Sequence, residues 1–519
     1  MYSLSPVTEH RAGRRAYALA AAAAAAVVVV RSLVWLLWEQ SYFDSDQAIN
    51  GLMAKHLAEG RTLPLFFYGQ PYLLAVEAWI TAPFFRAFGI SVTTLKLPLV
   101  LVNVAIAVLL IRALVRDAGL DSWLALVASV FFVVAPPIAA SRLLEASGAN
   151  VEPLLYTLLL WMTRRRPVAF GLVAGVGILH REFTAYAVIA LLALELSHGR
   201  LWTRDNLRIK AIAFAEIAGL YLLVRSVQPH ADIFGPGSRG YVPADVPATQ
   251  LATWSAKFCW NPSEAVANVA WLFRENLAAL FGWRRGPLAE FMATRLTAGH
   301  AWALAALLVI AAATAVVFFS VAVRRPPQPE VSGAIGTAVP DAALPVFLML
   351  TGAIALGVYC FGSCLVQDRT LVRYTLLGLF VPVGGVAWVM RRGGRALATV
   401  VASAAVVWAS AAAWDTTRLL HEYVTDPPPS IYRGLADFLE SRGVKYARAP
   451  YWTAYHIAFL TNERVVASSY ERVRINQYQD IVSRHRDEAV FLYFDDFCKP
   501  TEDGVNVLRW CVGDISRVR

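Results

Sequence analysis

The sequence predicts a mainly α, polytopic membrane protein of about eleven transmembrane helices, followed by a small C-terminal α/β domain. Three observations carry that reading. Of 519 residues, 57% are hydrophobic and only 16% charged, where a soluble domain carries nearer a quarter charged residues, and the mean hydropathy is +0.51. The apolar residues fall in blocks of about twenty, the length a helix needs to cross a ~30 Å hydrocarbon layer. Arg and Lys flank those blocks instead of forming a basic surface interleaved with aromatics, so the net charge of +10 reports topology and not a nucleic-acid partner. A water-soluble enzyme is excluded.

Eleven spans are predicted, at about 16–38, 93–111, 122–140, 149–163, 167–180, 183–197, 209–225, 300–323, 343–365, 373–390 and 395–414. Positive residues collect in cytoplasmic loops. Alternating sides from a cytoplasmic N-terminus puts Arg11, Arg14 and Arg15, then Arg112 and Arg116, then Arg164, Arg165 and Arg166 inside, and every later inner loop is basic as well. An odd number of crossings leaves the tail outside. The first span opens with Ala20–Ala26 behind a basic stretch, as a signal peptide does. The apolar run continues through Trp38, which is long for such a peptide and favours an uncleaved anchor.

Residues 1–414 thus form the membrane domain, with extracytoplasmic loops over 39–92 and 226–299, and 415–519 form the outer domain. The first loop holds two amphipathic stretches, Gln47–Glu59 and Tyr72–Phe88, suited to the interface. The second opens on the Gly/Pro-rich Phe234–Gly240 and closes on a Trp-rich helical portion near Trp254–Trp283, and Trp favours the headgroup level. The inner loop Arg325–Ala343 reads as a linker. In the tail the pattern predicts helix Ile431–Arg442, strand Lys445–Ala449, helix Trp452–Leu460, and strands Arg464–Ala467 and Ala489–Phe494. Among five cysteines, Cys498 and Cys511 flank a polar turn in the outer domain and are expected to pair. The alternative for that pair is two small buried hydrophobes, while Cys259, Cys360 and Cys364 are expected to be free.

A transporter places ionisable groups at the bilayer midplane, but here they gather at the outer ends of the spans. Asp44, Asp46 and Glu77 lie in the first outer loop, Arg142, Glu145 and Glu152 in the second, His180, Arg181 and Glu182 in the third, and Asp368, Arg369, Arg373 and Tyr374 in the fifth. A reaction centre is therefore expected at the outer surface. A lipid-linked saccharide flippase would need a charged path through the midplane, and an O-antigen polymerase or ligase would use a large outer loop with arginines.

The stretch Tyr42-Phe-Asp-Ser-Asp-Gln-Ala-Ile-Asn-Gly, running on to Glu59-Gly and then Phe66-Phe-Tyr-Gly-Gln-Pro-Tyr, resembles the first outer loop of the bacterial C-type membrane glycosyltransferases. These are the group related to the protein O-mannosyltransferases and the lipid A aminoarabinose transferases. The likeness extends to Gly148-x-x-x-Glu152-Pro-Leu, Gly171-Leu-Val-Ala-Gly and Arg373-Tyr374, and Tyr451-Trp-Thr-Ala-Tyr is similar to the variable outer domain of many members. The resemblance implies a multi-span bundle with interfacial helices and an outer-side site. It also implies transfer of a sugar from a polyprenyl-phosphate donor to a hydroxyl of a lipid, glycan or protein, in contact with membrane lipids of the bacterial inner membrane.

By that resemblance Asp46, followed by one residue and Ala48, matches the catalytic aspartate, and Asp44 is the second catalytic candidate. Gln47 stands where the usual acidic pair has its second member. The cofactor is left open, and a divalent cation, if bound, would fall to Asp44, Asp46 and Glu152. Substrate contacts fall to Glu152, Arg373, Tyr374, Arg369, Arg181, His180 and Glu77. Each has a structural alternative. Asp44 and Asp46 suit the N-cap of the helix that follows, Arg373 suits snorkelling to the headgroups, His180-Arg181-Glu182 suits a structural turn, and Glu152 suits a first-turn acid.

Overall fold

The computed structural model describes residues 6–243, 246–247, 249, 252–253, 255, 261–323, 343–362, 372–494 and 505–514. Every predicted span contains helix. α1 (Pro6–Leu37), α2 (Ser45–Ala58), α3 (Val76–Phe88), α4 (Val92–Arg116), α5 (Ser122–Val133), α6 (Pro137–Leu143), α7 (Glu152–Thr163), α8 (Pro167–His180), α9 (Thr184–Ser197) and α10 (Arg204–Val227) make the first half. Helices Ala301–Val323, Ala343–Phe361, Phe380–Arg392 and Gly394–Thr425 make the second, the third of them entered through the 3-10 turn Val372–Leu379. Among the described residues six helices are long and apolar enough to cross a membrane, or seven if one bent pair is a single span.

Two of the expected spans differ from expectation. The span at 122–140 is broken, because α5 and α6 meet at 85°. Pro136 and Pro137 sit at the corner, where the missing N–H groups and the restriction on the preceding residue end one helix, and Pro137 at the first position starts the next. The helix of the final span runs past 414 to Thr425. Asp415 is buried there, within 3.0 Å of His300 and 3.7 Å of Arg418, and Glu422 accepts from Thr294 and from the Arg295 amide at 2.8 Å. Partners in the second loop satisfy those polar groups, and the helix continues until Asp426-Pro-Pro-Pro stops it. α7, α8 and α9 have 12, 14 and 14 residues, which is about 18–21 Å of helix and shorter than the hydrocarbon layer.

α2 and α3 pack on each other, with the hairpin β1 (Phe66–Phe67) and β2 (Gln70–Leu74) between them in the chain. A second hairpin, β3 (Gly286–Pro287) with β4 (Thr297–Ala298), closes the second loop. The C-terminal sheet holds β5 (Tyr446–Ala449), β6 (Val466–Ser469), β7 (Val490–Phe494), β8 (Val505–Val507) and β9 (Trp510–Gly513) in the order β6-β5-β7-β9-β8. Strands β6, β5 and β7 run parallel, and β9 and β8 add antiparallel. The parallel steps cross over through helices Tyr451–Leu460 and Asn476–Arg484, as parallel neighbours require. Helix Ile431–Ser441 precedes the sheet. Cys511 is disulfide-bonded, and Cys360 is free and buried. Cys259, Cys364 and Cys498, like the linker over 325–342 and parts of the Trp-rich portion near 254–260, lie outside the described residues.

The sheet region is tied to α2 by polar contacts that only long-range folding creates. Glu463 accepts from Lys55 and lies 3.1 Å from His56 Nε2, 2.6 Å from Arg61 Nη1 and 2.7 Å from the Tyr478 hydroxyl. Arg433 grips Glu39 through two hydrogen bonds of 2.9 and 2.6 Å, a bidentate geometry that a planar guanidinium matches to a carboxylate. A cleft of about 460 Å³ lies beside it, between the end of α1, the start of α4 and the loop after helix Tyr451–Leu460.

Candidate functional site

Asp44 has extended backbone (φ −136°, ψ −179°), and its side chain accepts the Gln47 amide at 3.0 Å. It is the N-cap of α2. Burial, with the carboxylates of Glu145 and Asp46 adding, pushes its pKa up to about 8, against the pull of the Gln47 amide and Arg373. Near neutral pH it is therefore largely the neutral acid, an effect of low dielectric and neighbouring negative charge.

Asp46 lies in the first turn of α2, half-buried and not used as the cap. The Tyr451 hydroxyl donates to its Oδ1. Arg474 Nε in turn donates to the Tyr451 oxygen at 3.3 Å. Arg474 is buried and held by the Gly69 carbonyl at 2.9 Å. Gly69 sits at φ +72° in the Tyr-Gly-Gln-Pro turn, where a Cβ would stand 2.6 Å from Arg474 Cδ, so glycine serves both the backbone conformation and the close approach. Burial, with the Asp46 charge adding, pushes the Tyr451 phenol well up and keeps it protonated as a donor.

Arg373 reaches the same place from the turn Val372–Leu379. Asp46 and Glu145 lie within its electrostatic reach. Its guanidinium stands 5.2 Å from the centre of the Tyr374 ring, a cation–π distance, with the Tyr374 hydroxyl 3.5 Å from Nη2, and its buried Nε has no hydrogen-bond partner. Tyr374 packs edge-on to Phe183 at 5.7 Å. Glu145 accepts from Arg142 and Ser147, both at 2.8 Å, and Arg142 stacks over Tyr42 at 4.4 Å. Lys96, fully buried at the start of α4, donates to the Tyr42 carbonyl within reach of Asp44 and Glu145.

A second cluster lies on the far side of the 145–152 loop. Glu77 accepts the amides of Gly148 and Ala149 at 2.9 and 2.7 Å and Asn50 Nδ2 at 2.8 Å. Burial and the nearby Glu152 carboxylate push the Glu77 carboxyl well above the usual range despite those donors. Both Glu152 oxygens are buried without a hydrogen-bond partner, as is His180 Nε2, while His180 Nδ1 stands 3.0 Å from the Tyr156 hydroxyl. Arg181 donates to the Gly148 carbonyl at 3.2 Å and stands 3.8 Å from Glu182. Buried polar atoms without partners are costly, so this cluster suits a polar, hydroxyl-bearing ligand or water.

The structure thus brings Asp44, Asp46, Arg373 and Tyr374 together, and sets Glu77, Glu152, His180 and Arg181 beside them across one loop. The acid beside Asp44 is Glu145, whereas Glu152 faces Glu77. Among the described residues no three His, Cys, Asp or Glu side chains are grouped to hold a metal ion. Asp368 and Arg369 lie outside the described residues. Sequence reasoning missed Lys96, Tyr451 and Arg474. A lysine at the head of an apolar span was a visible signal for the first, and the tail gave none for its contacts with Asp46. Arg31 of α1 is buried, with Nη2 2.8 Å from Asn103 Oδ1 and its guanidinium 5.1 Å from the Phe132 ring centre.

No protein-family model matches the chain, and no curated protein matches it either. Among solved structures it is similar to ArnT from Cupriavidus metallidurans bound to undecaprenyl phosphate, at TM-score 0.50 and 12% identity over 96% of this chain and 98% of that one. It is also similar to the oligosaccharyltransferase of Archaeoglobus fulgidus, at TM-score 0.49 and 13% identity over 92% of this chain and 69% of that one. With its apolar spans and a small C-terminal sheet, the chain is an integral membrane protein with the C-type membrane glycosyltransferase fold.

Proposed function

We propose that this protein is a glycosyltransferase that moves a sugar from a polyprenyl-phosphate carrier to a hydroxyl acceptor on the extracytoplasmic side of the bacterial inner membrane. The observation that carries the reading is the convergence of Asp46 and Arg373, 327 positions apart in the chain, at one end of the bundle within electrostatic reach of each other. Transfer needs a base for the acceptor hydroxyl and positive charge for the departing phosphate. Asp46 takes the proton as the acceptor oxygen bonds to the anomeric carbon. The bond from that carbon to the phosphate oxygen breaks, and its electron pair leaves on the carrier phosphate, which Arg373 receives through its unpartnered Nε. The undecaprenyl phosphate in the ArnT structure supports a carrier with one phosphate. In this reading the N-terminus is cytoplasmic, the loops carrying Arg112, Arg164 and Arg391 face the cytoplasm, and the C-terminal sheet lies outside. The acceptor is a lipid, a glycan or a protein hydroxyl.

The test is an assay of membranes holding the protein with radiolabelled polyprenyl-phosphate mannose, arabinose and glucose. Label should pass to an acceptor with wild type and not with Asp46→Asn. Absence of wild-type transfer from every donor would sink the reading.

A further inference from the structure

We infer that the C-terminal region supplies two positioning residues to the site: Tyr451 and Arg474 hold the Asp46 carboxyl facing the acceptor, so the base works only with the tail docked. This rests on the transfer reaction proposed above. Arg474 is fixed first. Its backbone amide donates to the Tyr455 oxygen at 2.6 Å, and its Nη1 donates to the Gly69 carbonyl at 2.9 Å and the Tyr68 carbonyl at 3.5 Å. From that anchor Nε donates to the Tyr451 oxygen at 3.3 Å.

A phenol carries one proton. Because its oxygen accepts from Arg474, that proton turns to Asp46 Oδ1, where the hydrogen bond is found. A guanidinium placed directly on Asp46 would bridge both carboxylate oxygens. The interposed phenol engages Oδ1, and Oδ2 is then the oxygen that takes the acceptor proton as the new glycosidic bond forms and the carrier phosphate leaves. The charged or hydrogen-bonding groups that face Asp46 are Asp44, Arg373, Arg474 and Tyr451. The tail contributes two of the four.

Tyr451→Phe tests the relay with little risk to folding, because the ring keeps its edge contacts at 5.1 Å to Trp452 and 5.6 Å to Tyr455. Two readouts separate a positioning role from a structural one. Tyr451→Phe should lower kcat for transfer roughly tenfold with KM for donor and acceptor unchanged, because the carboxyl is less well oriented but still present. Arg474→Gln should lower kcat in the same way, and Arg474→Lys should return part of it because a donor to the Tyr451 oxygen remains. The infrared carboxylate band lost in Asp46→Asn should change frequency in purified Tyr451→Phe because the hydrogen bond to Oδ1 is gone, a readout that needs no substrate. If kcat and band both stay at their wild-type values in Tyr451→Phe, the relay is overturned while the transfer reading stands. If wild type transfers nothing yet the band moves, the relay stands and the transfer reading falls.

Discussion

Gly51 of α2 lies so close under the ring of Phe459 that a Cβ there would stand 2.4 Å from the ring edge. That contact sets how near helix Tyr451–Leu460 can come to α2, and so how near Tyr451 comes to Asp46. Glycine in a helix interior costs roughly 1 kcal/mol against alanine, and here the close approach offsets it. Gly51→Ala should destabilise by about 1–3 kcal/mol through overpacking, lower the thermal midpoint in detergent and make the tail more sensitive to protease. Gly51→Ala combined with Phe459→Leu should recover part of the loss. A thermal midpoint for Gly51→Ala at or above wild type would show that the helix separation is set elsewhere.

Asp46 and Asp44 should separate on mutation although they share one turn of sequence. Loss of a positioned base typically costs ~10²–10⁴ in rate, so Asp46→Asn should lose most turnover while retaining wild-type expression and thermal midpoint. Asp44→Asn keeps an oxygen for the Gln47 amide and replaces a group that is already mostly neutral, its pKa lying at about 8. Its turnover should fall far less, and at pH 7 by no more than about tenfold on the same scale. Transfer rates of the two variants side by side decide the assignment, and equal losses would make the pair act as one unit.

Arg373 should act on the donor more than on the acceptor. Arg373→Ala should raise the donor concentration needed for half-maximal transfer, and Arg373→Lys should rescue only partly because a point charge cannot supply two aligned donors. Titration of donor at fixed acceptor gives the comparison. Unchanged donor dependence in both variants would return Arg373 to packing on Tyr374, where its guanidinium already lies 5.2 Å from the ring centre.

The apolar segments were legible because periodicity and length report burial directly, and so were the first helices and strands of the tail, whereas helix Asn476–Arg484 and strands Val505–Val507 and Trp510–Gly513 were not read. Strand Val490–Phe494 falls within one residue of expectation. What stayed hidden has physical causes. The corner at Pro136–Pro137 interrupts an apolar run without interrupting its hydropathy, and the extension of the last helix past Asp415 depends on His300, 115 positions away. The site follows the same division. Asp46 and Arg373 are marked by local motifs, whereas Tyr451 and Arg474 gain their meaning from a docking surface. Asp46 and Tyr451 are 405 positions apart, and no local pattern connects them. The signal that existed was indirect: a small residue at Gly51, mid-helix on α2, announces a close neighbour without naming it.

Glu463 should make the docking of the tail pH-dependent. It follows Asn462 at φ +53° and itself sits at φ +63°, an uncommon conformation for a residue with a side chain, of the kind held only where other contacts fix it. Burial pushes its carboxyl up, but the hydrogen bonds from His56 and Lys55 outweigh it and hold the pKa well below the usual carboxylate range. A carboxylate with a depressed folded pKa contributes stability that is fully present above its unfolded value, near pH 4.5, and is lost as pH falls through the folded one. Wild type should therefore exceed Glu463→Gln in thermal midpoint at pH 7, and the gap should narrow steadily below about pH 4. Removing one partner from a buried ionic cluster costs about 3–5 kcal/mol, and the outermost donor, Arg61, is part exposed, so the lower end of that range applies. Thermal unfolding of both proteins in detergent between pH 7 and pH 3 measures the gap. A gap independent of pH would mean that the Glu463 side chain acts by shape and not by charge.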